Sequence, residues 1–330
     1  MSTVAPSATG SNPESQAVAF GKWLKQNGSP DVPELPDVVV YLEALDRYVV
    51  GRELRKIRVI GISLLKSFDP PINAAEGRTV VGTRRLGKRL VLELDGPDDL
   101  FMVIHLMVSG RLRWRDQTGA KPPGKTGLAA FDFDHGTLLL TEASKRKRAS
   151  LWLVGGTDAL IEQHDRGGVE PLEADETAFR EALTARNRTL KRALCDPTAF
   201  SGIGNAYSDE ILFHAGLSPV QRTGNLDDGD IARLFEATRT TLVDWTDRHR
   251  QTVGDGFPDK VTAFHDEMAV HGKYNQPCPA CEVPVQRIVY ADNEVNYCPQ
   301  CQTDGRVLAD RSLSRLLKDD WPRSIEDLED

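Results

Sequence analysis

No stretch of this chain approaches the roughly 20 consecutive apolar residues that a bilayer-spanning helix requires, which excludes a helical membrane protein. The first 31 residues lack the basic start and continuous apolar core of a secretory signal. They are rich in Ser, Ala, Pro, Gly and Asn and read as a disordered leader, with one short helix expected over 18–25, around Phe20 and Trp23. Cysteine is scarce, five in 330 residues, which argues against a disulfide-built secreted scaffold. Internal repeats are absent, so a solenoid is excluded. A net positive charge is missing as well. With a formal charge of −8, any nucleic-acid contact has to come from a local basic footprint. What remains is a soluble, cytoplasmic chain long enough for two domains.

Basic residues do cluster: Arg84, Arg85, Lys88 and Arg89; Arg111, Arg113 and Arg115; Lys145 to Arg148; Arg186, Arg188, Lys191 and Arg192. Each run alone reads as a solvated face; together they outline a groove for a polyanion. Acidic residues concentrate elsewhere, notably in the last dozen positions.

Leu35, Val38, Leu42, Leu45 and Val49 recur at spacings of three and four, one face of a helix. Short β-rich runs punctuated by Gly, Pro and Asp follow at 56–63, 79–85, 89–94, 100–106, 111–115, 128–133, 137–141 and 150–154. Such a series predicts an antiparallel sandwich or barrel. A linker is expected near 155–173. Helical patterns then cover 174–186 and 229–247, the second with Ile231, Leu234, Phe235, Thr238, Leu242 and Trp245 on one stripe.

Cys278, Cys281, Cys298 and Cys301 form C-x2-C-x16-C-x2-C, two knuckles that bring four thiolates around one Zn²⁺. Four cysteines leave no open coordination position, so the ion is expected to be structural. Val285, Ile288, Val289 and Tyr290 between the pairs suit a β-hairpin. Cys195 has no histidine near it in sequence and reads as a small buried apolar residue. Ser201-Gly202-Ile203-Gly204-Asn205 leads into a helix ending near Ala215-Gly216, and a glycine-flanked helix start favours a bound phosphate.

Six separated stretches, in order, resemble the Fpg/Nei family of DNA glycosylases. Pro33-Glu34-Leu35-Pro36-Asp37 resembles the family opening Pro-Glu-Leu-Pro-Glu. Arg84 to Leu90 resembles its Arg-Arg-Ala-Lys-Tyr-Leu hairpin, and Ile104 to Gly110 its Ile-His-Leu-Gly-Met-Ser-Gly. Thr189-Leu190-Lys191 is similar to Thr-Ile-Lys, and Gly202 to Glu210 to Gly-Val-Gly-Asn-x-Tyr-Ala-Ser-Glu. Val270 to Cys278 is similar to Val-Tyr-Gly-Arg-x-Gly-x-Pro-Cys, with Asn275 at a glycine, which a left-handed backbone would tolerate.

The resemblance spans about 32–302 and implies an α+β multidomain fold. An N-terminal helix and antiparallel β-sandwich occupy 32–155, a helix–two-turn–helix domain 170–267, a zinc-ribbon β-hairpin 268–303 and a polar tail 304–330. It implies a monomeric, nucleoid-associated bacterial enzyme acting on double-stranded DNA that contains oxidised bases or abasic sites. Pro33 would be the nucleophile, Glu34 its acid–base partner, and Lys88 the lysine that contacts phosphate beside the lesion. His105, Lys191 and Asn205 would hold further phosphates, and the four cysteines one structural zinc. The product would be a strand cut by β- and δ-elimination.

The chain departs from the pattern at four places. Val108, beside Met107, stands at the methionine that wedges into the duplex. Glu142 to Arg148 replaces the loop that carries the wedge phenylalanine and the opposite-base arginine. Asn293 stands at the finger arginine, with Arg287 or Lys273 as substitutes, and Asp37 and Val39 replace two acidic positions of the opening helix. These departures leave purine against pyrimidine lesions open.

Pro33 poses one conflict. Its nitrogen attacks a sugar carbon only as a free secondary amine, and within a chain it is a delocalised amide. Val32 stands where the family has its initiator methionine, and GTG encodes valine internally yet initiates as methionine. The expectation is therefore that the leader is a mis-assigned start. If Pro33 remained acylated, the same scaffold would bind damaged DNA without reacting. A zinc-ribbon interaction factor, resting on the cysteines alone, would bind no DNA.

Overall fold

The computed structural model describes residues 32–258, 265–290, 294–309 and 323–328. The expected leader helix, Asn293 and the tail leucines Leu313, Leu316 and Leu317 lie outside the described residues.

Helix α1 (Leu35–Val49) carries Pro36 in its first turn, which its fixed φ suits. Asp37 reaches back to accept the Glu34 N–H at 2.8 Å, which satisfies one orphan donor of the helix start. The expected stripe is buried throughout, and so are Val40, Tyr41 and Ala44. The apolar face is wide because the helix is wedged between two cores. Val38, Tyr41, Leu45 and Val49 pack into the β core, whereas Leu35 belongs to the helical core.

Nine strands follow: β1 (Glu53–Leu54), β2 (Lys56–Val59), β3 (Arg78–Leu86), β4 (Arg89–Leu94), β5 (Leu100–His105), β6 (Gly110–Arg115), β7 (Gly127–Asp132), β8 (Thr137–Glu142) and β9 (Ser150–Gly155). They form a five-stranded sheet, β1-β3-β4-β5-β9, and a four-stranded sheet, β2-β7-β8-β6, with antiparallel neighbours throughout. Leu90, Leu92, Met102 and Ile104 of the first sheet and Leu112, Phe131, Leu138 and Leu140 of the second share one core. Each fully buried Leu or Phe contributes on the order of 1.5–3 kcal/mol, so this core is the main stabiliser of the region.

Helix α2 (Thr157–His164) lies within the stretch expected to be a plain linker. Its Leu160 covers the outer face of the first sheet, against Val91, Phe101, Val103 and Val154. That cover explains why β4 and β5 read as nearly continuous apolar runs: both faces are buried. Strand β2 stops at Val59, four residues short of expectation, because Ile62–Leu64 turn into a 3₁₀ segment.

Helices α3 (Glu176–Thr184), α4 (Leu190–Leu194), α5 (Asn205–Ala215) and α6 (Asp228–Val253) build the second core around Phe179, Phe200, Tyr207, Leu212 and Leu234. Helix α5 ends at Gly216, which takes φ +66° as the left-handed cap. Helix α6 starts at Asp227, whose carboxylate accepts from Asp230 N at 2.7 Å. Beyond it, β10 (Gln286–Val289) pairs with β11 (Glu294–Tyr297), and α7 (Pro299–Thr303) closes the cysteine module. Asn275 has φ +59°, the left-handed conformation that the glycine replacement required. Among the described residues, no helix is long and apolar enough to cross a membrane.

Candidate active site and cysteine centre

Pro33 and Glu34 precede α1 at the junction of the two cores, and both are buried. The Glu34 carboxylate points at the start of α5. It accepts from Gly204 N at 2.6 Å, Ala206 N at 3.0 Å and Tyr207 N at 3.3 Å. The anion at this helix N-terminus is therefore the protein's own, not the phosphate that the glycine-flanked start suggested. Free amides and the helix dipole favour a carboxylate as readily as a phosphate, and sequence spacing cannot tell them apart.

Lys88 sits in the two-residue turn between β3 and β4, where Gly87 supplies φ +59°. Its Nζ lies 3.8 Å from Glu34 Oε1. Gly204 makes this meeting feasible: a Cβ there would fall 1.8 Å from Lys88 Nζ and 2.4 Å from Glu34 Oε1. Arg85 secures the turn from below, donating to Gly87 O at 2.7 Å and Ser201 Oγ at 3.1 Å and pairing with Glu170.

A cavity of about 320 Å³ opens beside this group, lined by Val32, Lys88, Arg89, His105, Arg166 and Gly202 among others. Sheet register places His105 opposite Arg89, one residue from the Lys88 turn. Burial, with the nearby Arg89 and Lys88 charges, pushes His105 down to about 3. His164, also on the wall, is pushed down to about 4 by burial and by Arg89 and Arg166. Both imidazoles are neutral near pH 7 and sit among cations, an arrangement suited to an incoming anion.

Asn205 opens α5, half-buried, next to the glycine that abuts Lys88. Lys191 is placed differently from a phosphate-facing lysine. It is buried, donating to Asp209 Oδ1 at 2.6 Å and Asn205 O at 2.5 Å. Burial is the strongest single influence and opposes its charge, but the Asp209 carboxylate, together with Cys195 and Glu34, holds the ammonium above its ordinary value. Its direct role is to fix the backbone of Asn205. Cys195 is half-buried on the same cavity, 3.2 Å from Gly204 O, and burial pushes its thiol up.

Some basic residues of the sequence footprint are engaged within the protein. Arg84 pairs with Glu93 at 2.6 Å, and Arg188 pairs with Asp196. Lys145, Arg146, Arg148, Arg186 and Arg192 are exposed. The loop after β8 wraps around buried Glu142, whose carboxylate accepts from Arg148 N at 2.9 Å and Ala149 N at 3.1 Å. Met107 and Val108 are both half-buried in the β5–β6 turn, Met107 at φ +53°.

The four cysteines converge as their spacing required. Sγ atoms of Cys278 and Cys301 are 3.9 Å apart, those of Cys281 and Cys298 3.4 Å apart, and all four lie within 4.8 Å of one another. Thiolates at about 2.3 Å from a tetrahedral ion would be about 3.8 Å apart, so the set fits one structural metal ion. What holds the module in place was not visible in the motif. Glu210 of α5 accepts from Ala269, Val270 and His271 N–H groups at 2.8–2.9 Å. Asp209 meets His271 Nδ1 at 2.8 Å and Asn296 Nδ2 at 3.4 Å. Arg287 stacks 4.2 Å over the Tyr274 ring and pairs with Glu294 at 3.3 Å, while Lys273 Nζ donates to Asp266 O at 2.6 Å. Arg287 is therefore held inside the module, and Lys273 is tied to the segment just before it.

The formamidopyrimidine-DNA glycosylase N-terminal domain matches residues 32–149, and the H2TH domain of the same enzymes matches 168–254. A formamidopyrimidine-DNA glycosylase of Heliobacterium modesticaldum is 32% identical over 284 residues, covering 82% of this chain and all of the relative. The Symbiobacterium thermophilum enzyme is 31% identical, covering 82% of this chain and 89% of its own. Among solved structures, Lactococcus lactis Fpg bound to DNA with an abasic site superposes with a TM-score of 0.71 at 27% identity, over 82% of this chain and 99% of that one. The MutM protein of Thermus thermophilus gives 0.68 at 30% identity, over 82% and 98%. Matching motifs, fold and full-length relatives agree: the chain belongs to the formamidopyrimidine-DNA glycosylase family.

Proposed function

We propose that this protein is a bifunctional DNA glycosylase and abasic-site lyase that removes oxidised bases and cuts the strand. The observation that carries the reading is the meeting of Glu34, the neighbour of Pro33 in sequence, with Lys88 beside a cation-walled cavity. Solved relatives bound to DNA with an abasic site or a Fapy-dG lesion support the same substrate class.

The reaction starts with a target nucleotide turned out of the duplex. The free Pro33 amine attacks C1′; the bond from C1′ to the base breaks, and the base leaves with a proton. Glu34, beside the sugar, exchanges the proton of the ring oxygen as the ring opens to an iminium. The iminium acidifies the C2′ protons. Loss of one expels the 3′ phosphate, and a second elimination expels the 5′ phosphate. Lys88, His105 and Asn205 hold the flanking phosphates, and Lys191 keeps Asn205 in place. A free Pro33 amine requires that the chain begin there, by initiation at Val32 and removal of the methionine. The match of the N-terminal domain from residue 32 supports this. The four-cysteine centre holds one Zn²⁺ whose part is structural.

Incision of duplexes carrying single oxidised purines or oxidised pyrimidines tests the activity and ranks the lesions. Cleavage of at least one class above an undamaged duplex is expected. No incision of any lesion or abasic site by a chain beginning at Pro33 would overturn the reading.

A further inference from the structure

Three donors converge on the side of Asp37 away from Glu34, and no step above uses them. Asp37 comes from the first turn of α1, His249 from the last turns of α6, and His265 from the segment beyond. Their ligand atoms lie within 4.8 Å of one another. Asp37 Oδ2 is taken by the Glu34 N–H, but Oδ1 is fully buried, accepts no hydrogen bond and lies 3.4 Å from His249 Nε2. An ionised carboxylate oxygen in that position is costly unless a cation meets it. The Tyr207 hydroxyl is 2.9 Å from the same His249 nitrogen, within reach of a fourth position. The His249 and His265 rings pack 4.6 Å apart, and the Trp245 ring lies 5.0 Å from His265.

We propose that Asp37, His249 and His265 bind a divalent transition-metal ion of the zinc class, separate from the four-cysteine centre. Two imidazoles and one carboxylate are an N₂O donor set for such an ion, where thiolates are absent and oxygen-only cations are disfavoured. A zinc ion bound here would draw these donors to roughly 2.0–2.2 Å from itself. The bound ion joins α1, α6 and the 265 segment. Through the Asp37–Glu34 hydrogen bond it fixes the backbone of the candidate acid. Its role is positioning; it does not touch substrate.

Metal content of the full chain tests this. After equilibration with Zn²⁺ and desalting, elemental analysis is expected to give two ions per chain. His265→Gln and Asp37→Asn should retain one, with affinity for the second lowered by at least about 100-fold. Replacement by Co²⁺ gives a reading that depends on no variant: the thiolate site shows intense near-ultraviolet charge transfer, and the second ion adds only weak visible bands. One ion per chain in the unaltered protein, or two ions persisting in both variants, would overturn the proposal.

Discussion

At the start of α5 the backbone amides of Gly204, Ala206 and Tyr207 face Glu34, whereas one turn later the side chains of Asp209 and Glu210 face the cysteine module. One helix thus anchors the candidate active site and the metal module by different means. Backbone donors are present whatever the sequence, so the active-site end depends on what can stand close to them, above all on Gly204. The module end depends on two particular carboxylates. Substitutions should therefore separate the ends: crowding at Gly204 harms chemistry, and neutralisation at Asp209 harms stability.

The largest effect is expected at Glu34 itself. Glu34→Gln keeps the shape but removes the proton exchange, and base excision should fall by about 10²–10⁴-fold in single-turnover assays. A variant excising at the native rate would break the assignment.

Next comes the contrast between the two ends of the anchor. Asp209→Asn leaves buried Lys191 and His271 without their carboxylate and should cost about 3–5 kcal/mol in denaturant unfolding. Gly204→Ala, by overfilling the space beside Lys88 and Glu34, should cost only about 1–3 kcal/mol yet lower excision by about 100-fold. If the two substitutions exchanged these signatures, the division of labour along α5 would be wrong.

The smallest effect is a pH dependence on the cavity wall. His105 and His164 titrate at about 3 and 4 in the folded protein, below the ordinary value near 6.5. As pH falls below about 6.5 the unfolded chain takes up protons first, so their contribution is fully retained above that value and lost towards pH 4. Melting temperature should fall between pH 7 and 5, and His105→Asn should flatten part of that slope.

Much of this was legible from local pattern. Alternation and punctuation located most strands of the sandwich, and the C-x2-C pairs located the metal centre. The resemblance singled out Glu34 and Lys88, which lie 54 positions apart in sequence and meet in the structure. What was hidden depends on distant partners. Nothing near Gly204 announces that its anion is Glu34, and nothing near Lys191 announces Asp209. A single leucine on α2 is too weak a signal to mark a helix that acts by covering a sheet. Asp209 and Glu210 fall within a matched motif, but nothing in it announces the module they hold.

The central claim concerns one amine, and borohydride trapping on DNA containing an abasic site tests it most directly. A chain beginning at Pro33 is expected to form a covalent complex, with the attached residue identified as Pro33 by peptide mass. The same chain with Pro33→Gly, which offers a primary amine in altered geometry, should trap far less, and the chain retaining residues 1–32 should not trap through Pro33. Undiminished trapping at another residue, or none by the chain that begins at Pro33, would contradict the account.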